Sequence, residues 1–551
     1  MNKRIAILAA AAAIAASASA REAWVPDLGN GRYRNPVVCA DYSDPDVVRT
    51  PEGDYYLTAS SFACTPGLPI LHSTDLVNWE IVNYALPALE PREFYDAAPR
   101  HGKGVWAPSI REHDGMYYIY WGDPDFGIFM VKTADPRGRW SEPVLVKAGR
   151  GMIDPTPLWD DDGRLYLVHA WAASRAGFNS VVNILELSPD GERAIGEPVM
   201  VMDGNDGVNH TVEGPKLYKR NGWYYIFAPA GGVEQGWQLA MRSRNIYGPY
   251  EVRRVMAQGD SPVNGPHQGA WVDDAAGDSW FLHFQDRGPY GRVLHLNPMR
   301  WVDDWPVIGD DADGDGCGTP VLSWRKPAEA VKGGGVKVPA TSDGFDTRHL
   351  GLQWEWHGNP GLDYGFATDM GFFRLYGFRT PADYVNLWTV PNLLLQKFPA
   401  EEFTATAKLR VSAKATSEGA VSGLVVMGWD YSALGLEKRG EGFVLRRYTC
   451  RDAEQGNAEA VEDIATVAPT RVYSAGLHPN YECDIWLRVR VGKGALCRFS
   501  YSTDGRRWHD AGSAFTARQG KWIGAKTGMF SIAPATVDRG WMDIDEFTVE
   551  P

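Results

Sequence analysis

Asp44, Asp154 and Glu213 stand in similar surroundings, "SDPDVV", "IDPTPL" and "VEGPKL". Each acid is followed by Pro or Gly-Pro, then by one polar residue and an apolar one. Each also lies nine residues ahead of a glycine that opens an aromatic or aliphatic run: Gly53 in "GDYYL", Gly163 in "GRLYL" and Gly222 in "GWYYI". The same count back from Gly115 in "GMYYI" reaches Trp106, and from Gly277 in "GDSWFL" it reaches Gln268, next to His267. Gathered at one point, three carboxylates suit cleavage of a glycosidic bond. One activates water while another, kept protonated, donates to the leaving oxygen. A third raises the pKa of that acid by like-charge repulsion. Trp106 offers an apolar face for a sugar ring. The bland alternative makes each Asp-Pro an ordinary turn or cap, but one register shared by three acids argues against coincidence. Asp46 rivals Asp44, since residues two apart on a strand face the same side. The repeat alignment sets Asp46 against Ser109 and Thr156 rather than against the acids, which favours Asp44. No Gly-rich nucleotide loop follows a strand and no GxSxG elbow occurs, so hydride, phosphoryl and serine-nucleophile chemistry are set aside.

The elements that position these residues are repeated hairpins. Each turn glycine joins two strand-like runs, and the glycines recur at spacings of 62, 48, 59 and 55 residues, room for a four-stranded sheet each time. Five such sheets predict a β-propeller, in which equivalent strand positions meet at one end of the axis. The composition agrees with an all-β protein: 22 Trp, 24 Tyr, 60 Gly and 36 Pro in 551 residues, a length that implies at least two domains. A net charge of −14 argues against nucleic-acid and anionic-membrane partners.

The motifs "NPVVCADYSDPDVVR", "WAPSI", "IDPTPLWDDDGRLYL", "TVEGPKLYKRNGWYYIFAP", "GPHQGAW" and "GRVLHLNPMRWVDDWPVIG", in this order, resemble glycoside hydrolase family 43 from about Tyr33 to Trp324. The resemblance implies a five-bladed propeller acting on xylan, arabinan or arabinoxylan with inversion of configuration. It implies Asp44 as general base, Glu213 as general acid, and Asp154 as the residue that raises and orients the acid. His267 would hold an ordered water or a structural calcium ion on the axis, and Arg292 would lie near the acid and the sugar. No cofactor is required. Many relatives carry Ser where this chain has Asp46, an added charge whose consequence the sequence leaves open.

After Trp324 the stretch 325–343 reads as a linker, and 344–551 shows alternating short strands expected to form a β-sandwich of the jelly-roll kind. This part resembles the concanavalin-like domain of family 43 xylosidases, in which a loop helps close the pocket and favours exo action. An independent sugar-binding module and a purely stabilising domain are the alternatives. Residues 1–20 have a Lys-Arg start, an Ala-rich core and a terminal Ala-Ser-Ala, the pattern of a cleaved signal peptide that implies a periplasmic or secreted protein. A disulfide within Cys450, Cys483 and Cys497 is then expected to be feasible. "DDADGDGCG" places Asp311, Asp313 and Asp315 in EF-hand order, but Leu322 stands where the bidentate Glu belongs, so a solvated acidic turn is expected. The functional expectation is an exo-acting hydrolase releasing xylose or arabinose from oligosaccharide or polysaccharide. An endo-arabinanase-like hydrolase and a propeller that only binds glycans are the competitors.

Overall fold

The computed structural model describes residues 22–328, 335–413, 415–473 and 480–551. The expected signal peptide at 1–20 and the middle of the expected linker lie outside the described residues. The first part of the chain forms five consecutive four-stranded antiparallel sheets, the blades of a propeller. Their innermost strands are Asp46–Arg49, Trp106–His113, Met152–Trp159, Lys216–Arg220 and His267–Asp273, and these lie next to one another around the axis. A blade is covered on both faces by its neighbours, so its strands need apolar residues on both sides. "YYLT" at Tyr55–Thr58 is accordingly buried throughout. Leu57, Leu71 and Trp79 of blade one meet Trp280, Leu282 and Leu296 of blade five, and Ile70 and Leu86 meet Ile110 and Ile119 of blade two.

The hairpin after each inner strand comes in two lengths. In blades two and four the turns are the pairs Asp114-Gly115 and Asn221-Gly222, all four residues at positive φ, flanked by the pairs His113↔Met116 and Arg220↔Trp223. That is the two-residue turn whose twist matches the strands. In blades one, three and five the loop is longer, as where the Gly53 amide donates to Thr50 and the Thr50 amide to Asp54. The constant count of nine therefore does not mark one structural position. The equivalent positions are Asp44, Ala107, Asp154, Gly214 and Gln268, all left-handed, with φ of 57°, 36°, 59°, 58° and 35°. Trp106, Glu213 and His267 sit one residue earlier.

The ring closes through the N-terminal segment. Arg32–Arg34 pairs with Ser323–Arg325, the Val37 amide donates to the Leu294 carbonyl, and the Tyr42 amide donates to that of Arg292. The Asn35 amide group donates to Leu296 and Val321 carbonyls, 2.8 and 2.7 Å away.

The second part is a β-sandwich of an eight-stranded and a nine-stranded sheet, with Leu409, Ile485, Leu487 and Phe547 facing Leu424, Leu434 and Met529 in its core. All six cysteines are free thiols. The disulfide expected among Cys450, Cys483 and Cys497 does not form. Cys483 and Cys497 are packed in the main sandwich core, while Cys450 belongs to a separate apolar cluster.

Propeller and sandwich are joined by buried polar contacts. The Asn359 side chain receives the Leu89 amide at 2.8 Å and returns a bond to the Leu89 carbonyl at 3.0 Å. Glu355 is ion-paired with both Lys397 and Lys526, and Lys526 Nζ lies 3.0 Å from Cys64 Sγ of blade one. Burial alone would push the Glu355 carboxyl upward, but the two ammonium groups overcome this and hold its pKa at about 2. Glu355→Gln leaves both lysines buried without their counter-charge and is expected to cost roughly 3–5 kcal/mol at neutral pH. Because the folded pKa is depressed, the contribution is complete above pH 4.5 and is lost as pH falls towards 2. Urea unfolding of both proteins across that range should show the gap closing in acid, and a gap independent of pH would contradict the assignment.

Candidate active site

The starts of the five inner strands meet at one end of the axis, and the left-handed residues there turn side chains inward. Aspartate tolerates this conformation better than most residues, because its short polar side chain can bond locally. Asp44 accepts hydrogen bonds at Oδ2 from Ser43 at 2.7 Å and Ser60 at 2.5 Å. Ser60 Oγ also receives the Ala107 amide at 2.7 Å, which ties Asp44 to the blade carrying Trp106. Asp154 Oδ2 accepts from the Gly214 amide at 2.7 Å and from Gln268 Nε2 at 3.3 Å. Gly214 has no room for a side chain, since a Cβ there would stand 2.3 Å from Gln268 Cγ. Glu213 Oε1 lies 2.9 Å from His267 Nε2. Burial pushes the Asp154 carboxyl well above its ordinary value, and the negative charges of Glu213 and then Asp44 push it further. The structure thus brings Asp44, Asp154, Glu213 and His267 together as the spacing predicts.

Arg292 enters the site beside Asp44. Its guanidinium donates to Ser43 Oγ at 2.8 Å, lies 3.6 Å from Asp44 and 3.5 Å from Asp286, and stands over the ring of Phe284, which packs against His267. Asp46 is not a second candidate for Asp44. It is buried beneath the site, where its Oδ2 accepts from the Ile110 amide at 2.8 Å and Arg111 at 2.5 Å, with Lys216 Nζ 4.0 Å away. Two cations balance the charge that Ser would not bring.

Trp106 is half-buried at the mouth, held by a 3.1 Å bond from its indole N–H to the Gly102 carbonyl. Phe62 packs edge-on against it, and so does Trp522 of the sandwich, each at 6.1 Å between ring centroids. Trp522 is 48% exposed, its backbone is left-handed, and its ring lies 5.8 Å from the Arg292 guanidinium. The sandwich therefore supplies a wall of the site. Sequence reasoning missed Trp522, Phe62 and Ser60. The visible signal for Trp522 was a tryptophan between Gly520 and Gly524, but nothing local says which end of a sandwich loop meets the propeller.

The residues at His267 do not fit a calcium ion held by protein ligands. Calcium takes six to eight oxygens, whereas His267 offers a nitrogen and belongs to no cluster of three metal-donor side chains among the described residues. Its Nδ1 is buried without a partner, which suits an ordered water. Asp311, Asp313 and Asp315 do converge, with ligand oxygens within 4.8 Å of one another, but Asp311 is paired with Arg300 at 2.7 Å and the group is largely exposed.

Asp154→Asn is expected to stabilise the fold while it harms the chemistry. The folded carboxyl titrates above the ordinary 3.8, so wild-type stability is penalised progressively as pH rises from 3.8 through the folded pKa. Melting curves should show the variant's advantage at pH 7 shrinking to nothing below pH 3.8. A variant less stable at every pH would refute the repulsion.

Comparison with known proteins covers both parts of the chain. Residues 33–306 match the model for glycosyl hydrolases family 43, and residues 342–550 match the beta xylosidase C-terminal concanavalin A-like domain. A protein of Xylanibacter ruminicola with β-xylosidase as its suggested activity is 38% identical over 505 residues, 91% of this chain and 86% of that protein. A non-reducing end α-L-arabinofuranosidase of Bacteroides ovatus is 29% identical over 463 residues, 77% of this chain and 80% of that enzyme. The crystal structure of a family 43 protein from Bacillus licheniformis superposes with a TM-score of 0.76 at 25% identity, covering 94% of this chain and 99% of that one. Such a propeller and sandwich, each matched along nearly its full length, make this chain a glycoside hydrolase that belongs to glycosyl hydrolases family 43.

Proposed function

We propose that the protein is an inverting, exo-acting hydrolase that removes terminal xylose or arabinose from fragments of plant polysaccharide. Asp44, bonded by two serines and facing Arg292, serves as the base that activates water. Glu213, against His267, donates the proton to the leaving oxygen. Asp154 is the third carboxylate, which couples electrostatically to Glu213 and favours a proton remaining on the pair. Trp106 and Trp522 offer apolar faces to a sugar ring, and buried Phe62 backs Trp106. The observation that carries the reading is Asp154, buried within the fields of both Glu213 and Asp44. A propeller that only binds glycans has no use for that repulsion.

The Trp522 wall favours a closed end over the open groove of an endo-arabinanase. β-Xylosidase and α-L-arabinofuranosidase both occur among the relatives, in accord with two sugars that present similar hydroxyls. The N-terminal 20 residues support export to the periplasm or beyond.

Initial rates on aryl β-D-xylopyranoside and aryl α-L-arabinofuranoside decide the sugar, and NMR of the first-formed anomer decides the stereochemistry. Turnover of one aryl pentoside with inversion is expected. Asp44→Asn and Glu213→Ala should each lower the rate by about 100- to 10,000-fold. Wild-type rates in either variant would overturn the assignment, and a retained anomer would overturn inversion.

A further inference from the structure

The sequence "ADYSDPD" holds three acids, and two already have places in the account: Asp44 in the site and Asp46 beneath it, against Arg111 and Lys216. Asp41 is buried as well and belongs to neither group. Its Oδ1 accepts the backbone amide of Arg292 at 2.9 Å, and its Oδ2 accepts the backbone amide of Gly524 at 2.9 Å. One carboxylate thus holds two segments from two domains, and both lead to the site. Arg292 is the residue whose guanidinium lies against Ser43 and Asp44. Gly524 is two residues beyond Trp522, which faces Trp106 and Arg292.

Three backbones approach so closely here that side chains are excluded. A Cβ on Gly291 would stand 2.4 Å from Asp41 Cβ, and one on Gly524 would stand 2.7 Å from the Gly291 amide nitrogen. Gly291 is also left-handed, with φ of 76°. The sandwich loop is otherwise pinned at its ends, by the Trp429 amide on the Gln519 carbonyl and the Ala525 amide on the Pro289 carbonyl, and it closes on itself through the Gly520 amide and the Ile523 carbonyl. One residue before the Ala525 end, the Gly524 amide bonds Asp41, a side-chain contact that sets the loop against the strand of Arg292.

We propose that Asp41 is a positioning residue: its two carboxylate oxygens lock the Trp522 loop of the sandwich to the Arg292 strand of the propeller, and so fix the wall of the sugar site relative to Asp44. Its effect on turnover rests on the hydrolase reading given above. Asp41 touches no reacting atom and acts through Trp522 and Arg292.

The test is a double-mutant cycle in the full chain, with Asp41→Ala, Trp522→Ala and the pair combined, on whichever aryl pentoside the wild type turns over best. Loss of one such bond is worth about tenfold. Asp41→Ala removes two, of which the one to Gly524 holds the Trp522 loop, so the variant should raise KM by about tenfold or more with a smaller change in kcat. Trp522→Ala should do the same, and the double variant should be no worse than the more impaired single one. Multiplicative losses, or a fall in kcat with KM unchanged, would overturn the proposal. Gly524→Ala displaces the loop from the sandwich side without altering Asp41 and should reproduce the rise in KM, which covers the case that Asp41→Ala fails to fold. Amide hydrogen exchange supplies a readout that needs no activity. Asp41→Ala, or Gly524→Ala in its place, should speed exchange in residues 519–525 and 290–292 while leaving the sandwich core unchanged. Unchanged exchange there would refute the lock even in an active enzyme. Faster exchange in a protein that cleaves no pentoside would refute the hydrolase reading alone.

Discussion

Negative charge gathered at one end of a closed ring is the constraint that organises this molecule. The five inner strands start with the same left-handed turn of the backbone, and wherever that turn carries an acid the acid points towards the others. Asp44 and Asp154 occupy the turn, while Glu213 stands one residue before it. The fold meets this repulsion selectively. Beneath the site Asp46 is neutralised by Arg111 and Lys216. Asp154 is given two N–H donors and, among the described residues, no close ion pair, and its carboxyl is left raised. Asp46, beneath the site, is balanced by cations; Asp154, within it, is left in tension with its acidic neighbours.

The sandwich adds geometry to that electrostatic arrangement. Beside apolar contacts such as Tyr290 in the sandwich core, it meets the propeller through polar, directional ones: Asn359 on the Leu89 backbone, Lys526 towards Cys64, and the Gly524 amide on Asp41. An apolar contact alone would allow small slips between the two bodies, whereas bonds to buried backbone groups specify one relative placement. A tryptophan delivered from a second domain needs such a placement if it is to face Trp106 and Arg292 at a fixed distance.

Much of this was legible in the sequence, for reasons that are local. The turn glycines and the strand-like "YYL" and "YYI" runs report a hairpin each time, and a hairpin repeated five times at a spacing near fifty-five residues leaves few architectures. The acids were found by a count of nine that mixes two turn lengths. It succeeded at Glu213 because a shorter turn in blade four cancels a one-residue offset of the acid itself. What the sequence did not disclose depends on distant segments meeting. Arg292 lies by Asp44 because the N-terminal segment closes the ring along its strand. Cys450 stays apart from Cys483 and Cys497 because it packs in a different apolar cluster of the sandwich. Trp522 looks like any glycine-flanked loop residue until two domains are docked.

The bond between Asp41 and Gly524 joins residues 483 positions apart, and this bears on how the molecule comes into being. A chain made from its N-terminus presents Asp41 early, yet the ring that shelters it waits for the strand at Ser323–Arg325, and its second hydrogen-bond partner waits until the chain is almost finished. Loop closure over such lengths is entropically demanding and comes late. The sandwich side of the mouth, the loop of Trp522, is therefore placed last, so a nascent chain carries its acids long before it carries that wall.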